Sequence, residues 1–487
     1  VSDDEAIQRT AFDLRWKVAL GLGLDEKLCA KSTLQHFRAK LILHDAYQKL
    51  FKASVDECRR SGLLRKKRLE VAIDSTPVFG AGAVKDTFNL ISDQIRRVLS
   101  EISQLKGGDA EELGNANGLQ RHFGTSFKAE AEIDWNDDAQ KRRLVGELVA
   151  DAKKATALAQ RAMLGHARGA EKTRELREAR DLLADLVLQD IDEDPDDGGG
   201  PSIRQGTARD RVISTTDPEM RHGHKSKSKG FEGYKASIVA DTIDGVVLAT
   251  GVIAANKHDQ TCAKELVAEA ADHSEQKVER LIGDTAYGAM QLRRDLVTQG
   301  VEVVAKMQPI SNRKRRFTIE QFRIDSKRGI ATCPAGKRSA RRDRQVEAWH
   351  YVFSSRDCAV CPMRARCTAA KRARALTVPH DFRERQRLRD LQRTTRFRRT
   401  YRRRIVVEHR LARLVQLGIR KARYFGKAKV AFQIAIAAAM ANLGLANGHK
   451  ALFCPLVIKP DRIAHTLHTL GLRNDAQFSS QAISRAA

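Results

Sequence analysis

The chain has 487 residues, 42% of them hydrophobic, which excludes a disordered protein and leaves room for more than one core. Lysine and arginine number 88 against 61 acidic residues, a formal net charge of +27. The cations come in runs, which points to a polyanionic partner, most often nucleic acid, more than to a merely soluble chain. The eight cysteines exclude a secreted disulfide framework. Cys29, Cys58, Cys262 and Cys454 are scattered singly, while Cys358, Cys361 and Cys367 are bunched, as in a reducing compartment with one metal site.

The opening "VSDDEAIQRT" has no basic region followed by an apolar core, so no signal peptide is expected, and it has no initiator methionine, as in a segment of a longer chain. Residues 1–66 carry leucines and charges at helical spacing. In 67–85, "RLEVAIDST" alternates Leu69, Val71 and Ile73, predicting a short strand that ends at Asp74. Residues 86–190 read as a helical insertion with mixed charge, rich in good helix formers. "DIDEDPDDGGGPS" then predicts a flexible acidic linker, and 191–230 closes on the basic loop "RHGHKSKSKG".

Between 231 and 310 the pattern turns to a hairpin around Asp244-Gly245, a helix from Asp259 to Ser274, the strand "RLIGDTAYG", a helix and the strand "VEVVAKM". Residues 311–374 are basic, irregular and cysteine-bearing. Residues 375–450 read as helices, and 451–487 as a tail. "VAFQIAIAAAMANLGLA" from Val430 is shorter than a usual membrane span and holds Gln433 and Asn442, so it reads as a buried Ala-rich helix, and no membrane is expected. The order predicts an α/β fold: a mixed sheet interrupted by an all-helical insertion and flanked by helices.

Three carboxylates stand out. Asp74 and Asp284 are expected at strand ends, where sheets present ligands. Glu408 follows Tyr401 and Arg404 at spacings of three and four, which would place all three on one helix face. Such a set could hold two divalent cations about 3.5–4 Å apart for phosphoryl transfer. Oxygen-only ligands favour Mg²⁺ or Mn²⁺. Any three of the 61 acidic residues could be grouped this way, so spacing alone does not decide.

The blocks themselves resemble those of a DDE transposase of bacterial insertion sequences. "AIDSTPVFGAGAVKDT" is similar to the first catalytic block, "RHGHKSKSKGFEGYKASIVAD" to the basic lead-in to the second strand, and "LIGDTAYG" to the second acidic block. Tyr401, Arg404 and Glu408 fit a third block of Tyr, two residues, Arg, three residues, Glu, six residues, Lys. The chain most resembles the eleven-eighty-two family, which carries cysteines between the second and third blocks. Two features depart from it. Val415 stands where the lysine is expected, leaving Arg413, Arg420 or Lys421 to take its phosphate contact, and the N-terminal helical region is incomplete.

The resemblance implies a ribonuclease H-like core with Asp74, Asp284 and Glu408 as Mg²⁺ or Mn²⁺ ligands. It implies strand cleavage at transposon ends and strand transfer to target DNA by a homodimer on double-stranded DNA, in the cytoplasm at the bacterial nucleoid. Arg404 would grip the scissile phosphate as a bidentate donor. Tyr401 would stack on a displaced base or bond a phosphate, or else simply pack. Arg398, Arg399, Arg402 and Arg403, with Lys225, Lys227 and Lys229, would neutralise phosphates without reading sequence. Cys333 and the C-x₂-C-x₅-C run of Cys358, Cys361 and Cys367 suit either a closed structural zinc site or reduced, unligated thiols. Two other functions stay open: a non-catalytic basic DNA-binding protein or degenerate remnant with a zinc module, and a metal-dependent nuclease outside transposition.

Overall fold

The computed structural model describes residues 2–449 except 67, 168, 194–199, 227 and 311–314. Helices α1 (Asp3–Phe12), α2 (Leu14–Leu20), α3 (Lys31–Leu43) and α4 (Ala46–Arg60) precede strand β1 (Arg68–Phe79). The helical block holds α5 (Thr87–Lys106), α6 (Ala110–Ala116), α7 (Phe127–Glu130), α8 (Asp138–Met163) and α9 (Glu171–Asp190). Then come β2 (Ile191–Asp192), β3 (Ser202–Ile203), β4 (Arg221–Ser226), β5 (Lys229–Asp241), β6 (Val247–Ala254), α10 (Ala263–Ser274), β7 (Lys277–Ile282), α11 (Met290–Thr298) and β8 (Glu302–Val304). The cysteine-bearing stretch carries β9 (Arg323–Asp325), β10 (Ile330–Thr332), β11 (Ser339–Arg344), β12 (Ala348–Phe353), α12 (Ser355–Ala359), α13 (Arg364–Cys367) and β13 (Ala375–Pro379). Helices α14 (Phe382–Gln392), α15 (Thr395–Arg402), α16 (Ile405–Leu414) and α17 (Lys427–His449) follow.

The chain divides into two compact units, and β1 takes part in both. One unit holds Asp74–Gln276, the N-terminal helices and the helices from Val407 onward. In it β4, β5 and β6 pair antiparallel, with β5 beside β1. Gly233 allows that approach: a Cβ there would lie 2.3 Å from the Val78 carbonyl oxygen, and its φ is +141°. The β5–β6 hairpin turns at Asp244-Gly245 as predicted, with Gly245 at φ 71°.

Within the same unit, α5, α8 and α9 bury an apolar stripe that includes Ile91, Ile95, Leu99, Leu148 and Leu183. On α5 this is the i, i+4, i+8 pattern of an amphipathic helix. Asp86 caps it, accepting from the amides of Phe88 and Asn89. The expected mobile acidic linker is corrected at its start. Asp190 is buried and accepts from Arg211 and Thr87, while Ile191 and Val212 pack into the helical core. Burial of the apolar Ile191 and Val212, with the Asp190–Arg211 pair, holds the start of this stretch. Residues 194–199 of that linker, and the 451–487 tail, lie outside the described residues.

Helix α17 is longer than expected and apolar enough in length and composition to span a membrane, but it packs on α4 and β6. Its Asn442 is buried and bonds both the amide (2.9 Å) and the carbonyl (2.8 Å) of Val247. A satisfied buried amide is what a core helix requires.

The other unit joins Arg68–Ile73 to Lys277–Val406. Here the first half of β1 pairs parallel with β7, and β7 pairs parallel with β8. The stretch expected to be irregular is built instead: β11, β12 and β13 form an antiparallel sheet, and β9 pairs with β10. Tyr351, Phe353, Leu376 and Val378 alternate inward from β12 and β13 over Phe322 and Phe382. Each strand shows this period of two over only two inward positions, too short a run to stand out in the sequence.

Candidate nucleic-acid interface and catalytic carboxylates

Asp74 lies inside β1, not at its end. The strand continues to Phe79, because the Phe79 amide bonds the Arg420 carbonyl (2.9 Å) and the Ala422 amide bonds the Phe79 carbonyl (2.7 Å). The Arg420 guanidinium adds bonds to Thr76 Oγ1 (3.0 Å) and the Pro77 carbonyl (3.3 Å). These partners outweigh the turn tendency of "DSTP". Asp74 is half-buried and accepts from the Ser75 amide at 2.8 Å. Ser75, next along the strand, bonds Asp259 (2.9 Å), which Lys235 also holds (2.7 Å). This Lys235–Asp259 pair was not foreseen, since nothing in the sequence joins the two.

Asp284 stands two residues beyond β7 and caps a short turn at Thr285–Tyr287, accepting from the Ala286 amide at 2.8 Å. Close backbone packing fixes that turn: a Cβ at Gly288 would come within 2.1 Å of the Lys306 carbonyl oxygen. Arg293, 7% exposed, donates to the carbonyls of Gly288 (3.2 Å), Val303 (2.7 Å) and Ala305 (2.5 Å). Burial pushes its pKa down. It is a positioning residue for the Asp284 turn. Its sequence signal was there: Arg293 sits on the buried stripe of α11 between Met290 and Leu296.

The third block does not lie on one unbroken helix. A turn at Arg403 and Arg404 separates α15 from α16, and the amides of both residues bond three residues back at 3.1 Å. Tyr401 is already engaged: Phe397 stacks on it (5.7 Å, 14°), and Lys306 and Arg404 lie over its ring at 4.8 and 5.8 Å. Arg403 bonds Glu70 (2.7 Å), whose other oxygen takes Arg280 (2.6 Å). Burial raises the Glu70 pKa, but the two guanidinium groups outweigh it and hold the carboxyl below its ordinary value.

Arg398, Arg399 and Arg402 are exposed, and Arg398 and Arg402 line a cavity of about 660 Å³ with Lys306, Arg389 and Arg393. Lys225 and Lys229 are exposed on the β4–β5 hairpin, and Lys227 lies outside the described residues. Glu408 is exposed on α16. Val415 begins a π-turn, Val415–Ile419, with Gly418 at φ 94°. Of the cations able to replace the missing lysine, Arg420 is tied to β1 and Arg413 bonds Gln416 at 3.2 Å.

Asp74 and Glu408 belong to one unit and Asp284 to the other. Among the described residues, no group of three or more His, Cys, Asp or Glu is arranged to hold a metal ion. By donor chemistry the three carboxylates suit Mg²⁺ or Mn²⁺.

Cys333, Cys358, Cys361 and Cys367 line one cavity of about 30 Å³, and all four are free thiols. Burial pushes the Cys367 thiol up, while Arg374 beside it pulls the other way.

Residues 332–444 match the transposase DDE domain family, a span that holds the four cysteines and the Tyr401–Glu408 block. No curated protein matches the chain. A structure of the piggyBac transposase synaptic complex with hairpin DNA is similar at 12% identity, over 82% of each chain, with a TM-score of 0.23.

Proposed function

We propose that this protein is a DNA transposase of the DDE type, with a ribonuclease H-like core, related to the eleven-eighty-two insertion sequences. The observation that carries the reading is the match of residues 332–444 to the transposase DDE domain, across the block containing Glu408. The net charge of +27 and the ordered acidic blocks support it. Asp74, Asp284 and Glu408 are the residues that would hold Mg²⁺ or Mn²⁺. When bound, such an ion supplies charge neutralisation at the phosphate being displaced.

The chain's own residues supply the rest. Arg398, Arg399 and Arg402 offer exposed guanidinium groups to the backbone of double-stranded DNA. Lys225 and Lys229, exposed on the β4–β5 hairpin, offer further cations to phosphate, and by its sequence Lys227 would add a third. Arg404, whose guanidinium lies over the Tyr401 ring, would grip a phosphate with two parallel bonds. Arg293 keeps the Asp284 turn in place. A homodimer on paired DNA ends, at the bacterial nucleoid, completes the reading.

The test is to incubate the full chain with Mg²⁺ and duplex DNA carrying the inverted repeats that flank its coding region. Cleavage at the repeat ends, followed by joining to a second duplex, is expected. Binding with no cleavage in Mg²⁺ or Mn²⁺ would favour the non-catalytic binder. Cleavage without joining would favour a nuclease outside transposition.

A further inference from the structure

We propose that Cys333, Cys358, Cys361 and Cys367 bind one zinc ion as four thiolates, a structural site that stabilises the segment from Phe317 to Phe382. The proposal does not depend on the DNA reading.

The four cysteines come from two stretches of chain, Cys333 and the run Cys358–Cys367, yet they line one cavity of about 30 Å³, room for little more than one ion or water. The turns that deliver them are alike. Cys333-Pro334 opens a turn in which the Gly336 amide bonds the Cys333 carbonyl at 2.8 Å, and Cys361-Pro362 opens one in which the Arg364 amide bonds the Cys361 carbonyl at 3.0 Å. Gly336 sits at φ +77°, which lets the first turn reverse and return the Lys337 carbonyl to the Cys333 amide at 2.9 Å. Arg364 then ties the second turn to its neighbour by donating to the Cys358 carbonyl at 2.9 Å.

Four thiolates around Zn²⁺ would leave a net negative centre. Lys337, Arg364 and Arg374 line the same cavity and would offset that charge. Each is already held in place, Lys337 by Asp357 (3.4 Å), Arg364 by the carbonyls of Cys358, Ala370 and Lys371, and Arg374 by the Phe317 carbonyl (3.3 Å).

Seven buried hydrophobic residues form the local core of this segment, with Cys333, Cys358 and Cys367 packed against them. The segment is part of a larger compact unit, and a metal would add to what so small a local core supplies. The thiols stand around the cavity and not yet on a common centre, since no ligand set is preformed among the described residues. Zinc would draw each sulfur to about 2.3 Å, and each thiol would release its proton to solvent as its S–Zn bond forms.

The test uses the full chain, purified under reducing conditions without chelator. Metal analysis should find about one zinc per chain. Mass mapping of alkylation should find Cys333, Cys358, Cys361 and Cys367 protected until a chelator is added, while Cys29 and Cys262 react alike with and without it. Co²⁺ in place of zinc should give the absorption bands of tetrahedral thiolate ligation. Cys361→Ser should lose the metal and Cys29→Ser should keep it. If Cys361→Ser does not fold, the alkylation map of the unaltered chain decides. No zinc, no cobalt bands and equal alkylation with and without chelator would overturn the proposal, as would full zinc content in Cys361→Ser.

Discussion

The helical block from Thr87 to Asp190 and the segment from Phe317 to Phe382 both interrupt the run of strands, yet they are held by different means. The helical block has twenty-four buried hydrophobic residues in its core, spread over three long helices and their neighbours. The cysteine-bearing segment has seven. Area buried sets how much stability a core can supply, so packing within the region contributes more to the first than to the second. Mixed charge covers the first, while arginine crowds the second, where Arg364 and Arg374 donate to backbone carbonyls and Arg342 and Arg366 lie over aromatic rings.

The largest effect that would break this contrast lies in the helical core. Leu148 is fully buried, and Leu148→Ala should cost about 2–5 kcal/mol of the block's stability, measured by denaturant unfolding. It should leave zinc content unchanged. A loss of zinc together with the helical core would show that the two regions are not held separately.

Next comes acid. His122 is buried and lies between Ser92 (2.9 Å) and Asp151 (2.9 Å), while Arg121 also bonds Asp151. Burial raises the Asp151 pKa, but His122 and Arg121 outweigh it and hold the carboxyl below its ordinary value of 3.8. A depressed carboxyl contributes stability above its unfolded value and loses it as pH falls through the folded one. The helical block should therefore weaken below about pH 4, monitored by helical circular dichroism. Asp151→Asn should cost about 1–3 kcal/mol at neutral pH and should flatten that acid dependence. An unchanged acid profile in Asp151→Asn would mean that another carboxylate sets it.

Much of this architecture was legible in the sequence, and the exceptions share a cause. The helical block declared itself by its 3.6-residue period, and the β5–β6 hairpin by Asp244-Gly245, because both signals are local. The end of β1 was misplaced because Arg420 and Ala422, more than three hundred residues later, extend it. The sheet at β11–β13 was hidden because β11 is nearly all charged and β12 and β13 show their inward alternation over only two positions each. For the candidate site, the sequence offered Asp74, Asp284, Glu408 and the four cysteines as candidates. It did not give the Arg403–Glu70 tie, the Phe397–Tyr401 stack or the Arg293 support of the Asp284 turn. Those depend on which charge meets which partner, and periodicity carries no information about that.

The smallest effect is at the surface. Lys225→Ala and Lys229→Ala, both at exposed positions, should each change stability by less than about 0.5 kcal/mol. Each should also lower the salt dependence of DNA affinity by about one counterion. An unchanged salt slope would remove this hairpin from the DNA path and leave the cationic work to the arginines of α15.

The central claim is that this basic chain cuts DNA and does not merely hold it. The most direct measurement is strand cleavage of an end-bearing duplex by Asp284→Asn in Mg²⁺, beside its affinity for the same duplex. The carboxylate reading predicts cleavage lost by at least about a hundredfold, in line with the loss of a group acting only in the transition state, with affinity nearly unchanged. Cleavage at the rate of the unaltered chain would contradict it.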